Sequence, residues 1–178
     1  ILRESFAVKG YTVLTSYLPL ARTLLSFQDG SLDGVINVKE GSVNGYYSDI
    51  VITFRNFAVT LKERDIEIND IRDLSRKSIV AFQRASIILG PEFGSVVRNN
   101  SGYEEVADQS QQIKRLFKRR TEVIILEEKI FKYFRKQIFE RSIALGARYI
   151  ISESEIRKPV VFHDVFAPSE YRFAFISE

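Results

Sequence analysis

Apolar stretches of two kinds alternate along this chain. Residues 78–82 and 122–126 are short apolar runs rich in β-branched side chains, which are typical of buried strands. Each run is followed by apolar side chains at helical spacing, over residues 87–97 and 129–139. Two strand-to-helix junctions in one alternating region predict a crevice at the carboxyl ends of parallel strands, and we expect the binding site there.

The rest of the chain shows the same two periodicities. Helices are predicted over residues 2–8, 19–27 and 109–119, and strands over residues 11–17, 32–38, 50–61, 103–107, 160–166 and 171–176. The strand, helix, strand order of residues 11–38 predicts a parallel pair with a right-handed crossover. The run at 50–61 changes the phase of its alternation, which is typical of a strand that passes between two lobes. The fold class is therefore α/β.

Length and composition limit the class of protein. A chain of 178 residues forms one domain or two small lobes. The absence of Cys excludes disulfides, thiol nucleophiles and zinc–thiolate sites. No apolar run approaches the roughly 18 residues that a membrane span needs. The chain contains no signal peptide and starts at Ile1 rather than at Met, so we expect a fragment of a longer protein.

Basic side chains concentrate in two of the predicted helices. The formal net charge of +3 is too small to indicate nucleic acid by itself. Apolar residues interleave with the basic ones at helical spacing, which places the charges on the outer helix faces. We expect no nucleic-acid partner, and a nucleic-acid patch is the alternative. These basic residues are Lys114, Arg115, Lys118, Arg119, Arg120, Lys129, Lys132, Arg135 and Lys136.

The two strand-to-helix junctions supply the candidate ligand contacts. After the first strand, Gln83, Ala85 and Ser86 offer backbone N–H groups and a hydroxyl that suit a carboxylate. An ordinary helix cap is the alternative interpretation. Glu127 ends the second strand and suits a cation, whereas the adjacent Glu128 suits the helix N-terminus. Tyr17 is a candidate for the wall of the crevice, although aromatic residues beside strand ends also serve as core or rim.

Catalytic residues are not indicated. His163 is the single histidine, and a strand histidine bonded to a neighbour is the expected role. Without Cys, a second His or a G-x-S-x-G motif, neither a catalytic triad nor a metal cluster is assembled. We therefore expect no enzymatic activity, no metal and no cofactor.

Several segments, taken in order, carry a resemblance to a known family. They are P-x-x-R at Pro19–Arg22 with S-L-D-G-V at 31–35, the step Tyr47-Ser48-Asp49, the S-I-V-A-F run at 78–82, and T-E-V-I-I-L-E at 121–127. Together they resemble the family 3 extracellular solute-binding proteins, the amino-acid-binding type of periplasmic binding protein. The resemblance covers most of the chain.

The resemblance implies a type 2 periplasmic-binding-protein fold. Each of its two lobes is a mostly parallel sheet flanked by helices, and two crossing strands join the lobes around a cleft. Lobe one is expected to comprise residues 1–55 with 173–178, and lobe two residues 56–172. The crossings are expected near 54–57 and 168–173. A periplasmic location is also implied.

The implied function is binding of a small polar, amino-acid-like solute, as the substrate-binding component of a transport system. The alternative is the ligand-sensing domain of a membrane signalling receptor, so the expected partner is a membrane transporter or receptor module. The solute's anionic end would meet Ser86 and Arg22, and its other end Glu127. Gly41 stands where the family places the Arg that grips the ligand's carboxylate, so the ligand is open. An enzyme on the same fold is a further alternative, with Glu127 and Glu40 as its candidate acids.

Overall fold

The computed structural model describes residues 2–146 and 151–176. The helices are α1 (Leu2–Ala7), α2 (Leu20–Gln28), α3 (Ala85–Ile88), α4 (Pro91–Val97), α5 (Ser110–Phe117), α6 (Glu128–Leu145) and α7 (Glu153–Ile156). The strands are β1 (Gly34–Val38), β2 (Tyr46–Tyr47), β3 (Ile52–Phe54), β4 (Asn56–Leu61), β5 (Ile79–Phe82), β6 (Tyr103–Val106), β7 (Val123–Glu127), β8 (Val160–His163) and β9 (Ser169–Phe175). None of the described helices is both long and apolar enough to cross a membrane.

The first sheet is built around the last strand of the chain. Strand β9 pairs with β1 on one side and with β2 and β3 on the other, and all these pairs are antiparallel. Helix α2 covers this sheet, because Leu24 and Phe27 pack against Val35, Val38 and Ala174. The expectation of a mostly parallel sheet in each lobe is corrected here. Strands β1, β2 and β3 share one direction, but β9 runs between them in the opposite direction.

The second sheet is the larger one, with the strand order β6-β5-β7-β4-β8. Strands β6, β5 and β7 are parallel, and β4 runs antiparallel to both β7 and β8. Apolar side chains pack on both faces: α5 and α6 cover one face, and α3 and α4 cover the other. Burial of both faces explains why β5 and β7 read as continuous apolar runs rather than as alternating ones.

The chain crosses between the sheets twice. Strand β3 ends at Phe54 in the first sheet, and β4 begins at Asn56 in the second, so Arg55 alone separates them. The chain returns between His163, which ends β8, and Ser169, which begins β9. The phase change in the sequence therefore marked a real crossing. The lobe boundaries at 55/56 and 172/173 stay a prediction, and residues 1, 177 and 178 of predicted lobe one lie outside the described residues.

The predicted strand over residues 11–17 does not form. This segment has no strand or helix assignment, and Leu14 and Tyr17 are 91% and 93% exposed. A β-branched and aromatic sequence becomes a strand only where a partner and a packed face are available. In the described part of the chain β1 pairs with β9 instead, so the expected parallel pair with a right-handed crossover is wrong.

Candidate functional site

The candidate site lies at one edge of the second sheet. The carboxyl ends of β5, β6 and β7 meet there, together with the start of the antiparallel strand β4. Because Arg55 alone separates β3 from β4, the first sheet begins next to this edge. The topology therefore brings Gln83, Ser86 and Glu127 to the sheet edge at which the alternating pattern predicts a crevice.

At the junction between β5 and α3, the chain supplies its own anion. The carboxylate of Glu105, on β6, accepts hydrogen bonds from the backbone N–H of Arg84 at 2.6 Å and of Ser86 at 2.9 Å. The hydroxyls of Ser86 and Tyr103 each donate to the same carboxylate at 2.7 Å. In the parallel register Glu105 lies beside Ala81, and so faces the helix that follows β5. The donors expected to meet a ligand's carboxylate thus meet a side chain of this protein.

The hydrogen bonds at this junction determine its charge state. Burial alone would raise the pKa of Glu105, but the donors from Ser86, Tyr103 and Arg84 outweigh burial and lower it. The pKa of Tyr103 is raised by burial and by the hydrogen bond to the negatively charged Glu105. The junction therefore holds an ionised carboxylate against a neutral phenol, which stabilises the arrangement at neutral pH.

At the junction between β7 and α6, the helix start is capped by a residue of the junction itself. Glu127 is itself the N-cap of α6, and its side chain accepts a hydrogen bond from the backbone N–H of Ile130 at 2.9 Å. The carboxylate of Glu128 pairs with Lys132 one helical turn later, at 2.6 Å. One oxygen of Glu127 is thus committed to the helix start, and its role as a ligand contact stays a prediction.

Two hydrogen bonds join the two sheet systems across this edge. The backbone N–H of Ala21, in the first turn of α2, donates to the side-chain oxygen of Gln83 at 3.1 Å. The ammonium group of Lys39, which follows β1, donates to the carbonyl oxygen of Ile88, at the end of α3, at 2.6 Å. Both bonds connect the surroundings of the first sheet to the segment after β5, so they join the two sides at that point.

The remaining predicted contacts lie in different environments. Ala85 is fully buried as the first residue of α3, so a contact with solute would have to involve its backbone. Arg22 is exposed on α2 and makes no ion pair with any of the described residues. Tyr17 is almost fully exposed on the unpaired segment before α2. The structure therefore gathers Gln83, Ser86 and Glu127 at one edge, and it leaves the ligand roles of all six residues as predictions.

Sequence reasoning missed three residues at this edge. Glu105 went unnoticed because its importance depends on the register of β6 against β5, which a single sequence does not give. Lys39 directly follows the predicted strand over residues 32–38 and lies outside every predicted helix and strand. Asn56 lies opposite Glu127 in the β4–β7 ladder, is 4% exposed, and its side-chain nitrogen finds no partner among the described residues. A detectable signal was the spacing Tyr103-x-Glu105, which places both side chains on one face of a strand.

A surface hollow lies elsewhere on the second sheet. It measures about 360 Å³, is lined by Thr60 and His163 among others, and includes none of the six predicted contacts. The ring of His163 lies 3.0 Å from the hydroxyl of Thr60, which confirms the expected role of a strand histidine bonded to a neighbour. Burial lowers the pKa of His163, against the opposing effect of a hydrogen bond that its ring donates to the backbone of Ile68. No acidic or histidine cluster with metal-binding geometry occurs among residues 2–146 and 151–176.

Comparison with known proteins assigns the fold. The sequence matches no family model and no curated protein. Among solved structures, it is similar to an ancestral arginine-binding protein bound to arginine, with a TM-score of 0.69, 16% identity, and coverage of 98% of this chain and 71% of that one. It is similar to the GLUR0 ligand-binding core in complex with L-glutamate, with a TM-score of 0.69, 10% identity, and coverage of 98% and 73%.

A transporter component shows the same likeness. The amino acid ABC transporter substrate-binding protein AbpA from Streptococcus pneumoniae, bound to L-arginine, matches with a TM-score of 0.65, 18% identity, and coverage of 98% of this chain and 68% of that one. At identities this low the likeness concerns the fold. The chain has the α/β fold of two-lobed amino-acid-binding periplasmic proteins, as the resemblance in its sequence implied.

Proposed function

We propose that this protein binds a small polar, amino-acid-like solute in the cleft between its two sheets. The observation that carries the proposal is the architecture: two sheets, two crossings, and three strand ends that meet at the edge between the sheets. Structures with this fold were solved with arginine and with L-glutamate bound. The chain is suited to hinge closure, because single short segments join the sheets.

Solute entry would begin with the two bonds that cross the cleft. The Ala21–Gln83 and Lys39–Ile88 hydrogen bonds join the two sides directly, so they must open or rearrange to admit a solute. A polar solute can form hydrogen bonds with the same groups. Replacing each of these bonds by a bond to the solute therefore changes the free energy little. Gln83 and Glu127 are then the side chains at this edge that we assign to the solute.

We assign the solute-binding role to a transport system, with a periplasmic location and a membrane transporter as partner. The similarity to an ABC transporter substrate-binding protein supports this assignment. The alternative is a ligand-sensing domain of a membrane signalling receptor, which the similarity to the GLUR0 ligand-binding core favours. A full-length gene that continues into a membrane span and a signalling module would support the sensor. A gene with a signal peptide and no further module would support the transporter component.

A thermal-shift screen tests the binding function. The panel contains the common amino acids, polyamines, small dicarboxylates and short sugars. A solute that binds the folded state raises the unfolding midpoint as its concentration increases. At one hundred times the dissociation constant, the free energy of unfolding rises by about 3 kcal/mol. The matched variants are Gln83→Ala, at the cleft, and Gln137→Ala, on the exposed face of α6. A shift that Gln83→Ala weakens and Gln137→Ala retains supports the proposal, whereas no shift with any class contradicts it.

A further inference from the structure

The donors at the β5–α3 junction are saturated before any solute arrives. Three donors converge on one oxygen of Glu105, and the backbone N–H of Arg84 bonds to the other oxygen. Ser86 contributes both its N–H and its hydroxyl. A second carboxylate at this place would find no free hydrogen at Ser86 and would lie beside a like charge.

The carboxylate of Glu105 is firmly placed. Its strand is locked in register beside β5, and the ring of its partner Tyr103 packs edge-on against the fully buried Phe93 with ring centres 5.8 Å apart. The adjacent Glu104 points away and forms a bidentate pair with Arg115 on the surface. The two neighbouring carboxylates thus have different tasks, and Glu105 alone among them serves the junction.

We propose that Glu105 is a specificity-determining residue that excludes carboxylates from Ser86. By filling these donors with a carboxylate of the protein, it selects solutes that present a neutral or cationic group to α3, such as an amine, an amide or a sugar hydroxyl. This inference rests on the proposed function for its meaning as selectivity. The structural part of the inference is that the carboxylate of Glu105 occupies a set of hydrogen-bond donors. This part does not depend on which solute binds.

The first test removes the carboxylate of Glu105 and supplies acetate in its place. In Glu105→Ala, the four donors lose their acceptor and a space the size of a small carboxylate opens. We expect 100 mM sodium acetate to raise the midpoint of this variant by at least ~3 °C over the same concentration of sodium chloride. Wild type and the control Glu104→Ala should show less than a third of that difference. If Glu105→Ala does not fold in chloride, recovery of the folded far-ultraviolet signal in acetate is the equivalent result.

The second test measures selectivity with a matched pair. Agmatine is arginine without its α-carboxylate, so the pair isolates that group. We expect wild type to bind L-arginine no more tightly than agmatine, and Glu105→Ala to shift the preference toward L-arginine by at least tenfold.

Each result bears on one of the two proposals. An acetate effect that is absent, or equal in wild type and Glu104→Ala, overturns the inference. So does a wild-type preference for L-arginine over agmatine of tenfold or more that Glu105→Ala leaves unchanged. Rescue by acetate together with no binding from any panel solute would support the structural part of the inference while contradicting the solute-binding function.

Discussion

The two strand-to-helix junctions of the second sheet differ in the residue that accepts hydrogen bonds from the helix start. At the end of β7, Glu127 caps the 18-residue helix α6 from within its own junction. At the end of β5, the four-residue helix α3 has no side-chain cap of its own, and the carboxylate comes from Glu105 on the neighbouring strand. Arg84, which precedes α3, has a φ of 64°, a conformation that non-glycine residues adopt at a cost.

The comparison shows where each helix obtains its stability. A long helix with an internal cap retains part of its structure by local interactions. A single turn does not, so α3 depends on the tertiary bond to β6. The short junction is therefore both the more easily broken one and the one whose donors are committed to the protein.

The largest expected effect follows from Glu105→Ala. We expect the free energy of unfolding to fall by about 3 kcal/mol, since four donors lose a charged acceptor and the partial exposure of the site lets water replace some of it. Glu104→Ala, one residue away, should cost less than about 0.5 kcal/mol because its pair with Arg115 is at the surface. Urea unfolding measures both. Equal losses in the two variants would contradict the assigned role of Glu105.

Lowering the pH removes the charge of Glu105 gradually. The pKa of Glu105 is lowered in the folded state, so its contribution is complete above the ordinary glutamate pKa and is lost as pH falls through the lower folded value. Glu105→Gln removes this contribution at every pH. We therefore expect the wild-type advantage over Glu105→Gln, about 2 kcal/mol at pH 7, to shrink as pH falls below about 4. An advantage that stays constant from pH 7 to pH 3 would contradict the ionised junction.

A smaller loss is expected at the other junction. Glu127→Ala removes the side-chain cap of α6 and should lower the free energy of unfolding by about 1 kcal/mol. Glu127→Asp should recover most of it, because Asp is a preferred cap residue. Glu128→Ala is the control, since the contact of its carboxylate within the described part of the chain is the surface pair with Lys132. A loss from Glu127→Ala as large as that from Glu105→Ala would remove the distinction between the junctions.

The smallest effect should have the opposite sign. The side-chain nitrogen of Asn56 is buried beside the β7 junction without a partner among the described residues. Asn56→Leu removes this uncompensated donor and keeps the number and branching of the side-chain heavy atoms, and we expect a gain of about 0.5–1 kcal/mol in the free energy of unfolding. Thermal unfolding measures the gain. A loss exceeding about 1 kcal/mol would indicate that the amide of Asn56 is satisfied in solution.

The local patterns predicted most of the second sheet correctly. The runs at 78–82 and 122–126 became β5 and β7, and the apolar spacing after each became α3 with α4, and α6. Strong periodicity is a local property, and burial of both faces made these segments unambiguous. The same periodicity places the predicted site at the carboxyl ends of these strands, and that site stays a prediction.

What remained hidden depends on contacts between distant residues. The segment at 11–17 has the composition of a strand, yet β9, more than 130 residues later, is the strand that pairs with β1. The partner of Ser86 is a glutamate on another strand, and no spacing around Ser86 indicates it. The side-chain oxygen of Gln83 accepts a hydrogen bond from the backbone N–H of Ala21, a contact that no local spacing indicates, and the ligand role of Gln83 stays a prediction. Register and pairing across the fold decide these features, and one sequence does not encode them visibly.

The central position of β9 has a consequence for the order of events during synthesis. Strands β1, β2 and β3 are all complete by Phe54, yet each finds its partner in β9, which begins at Ser169. The second sheet has all its strands once His163 has left the ribosome. The part of the chain that is translated first must therefore wait as unpaired strands, while the later part folds ahead of it. A nascent chain halted before residue 169 should protect β5 and β7 from hydrogen exchange and leave β1 unprotected.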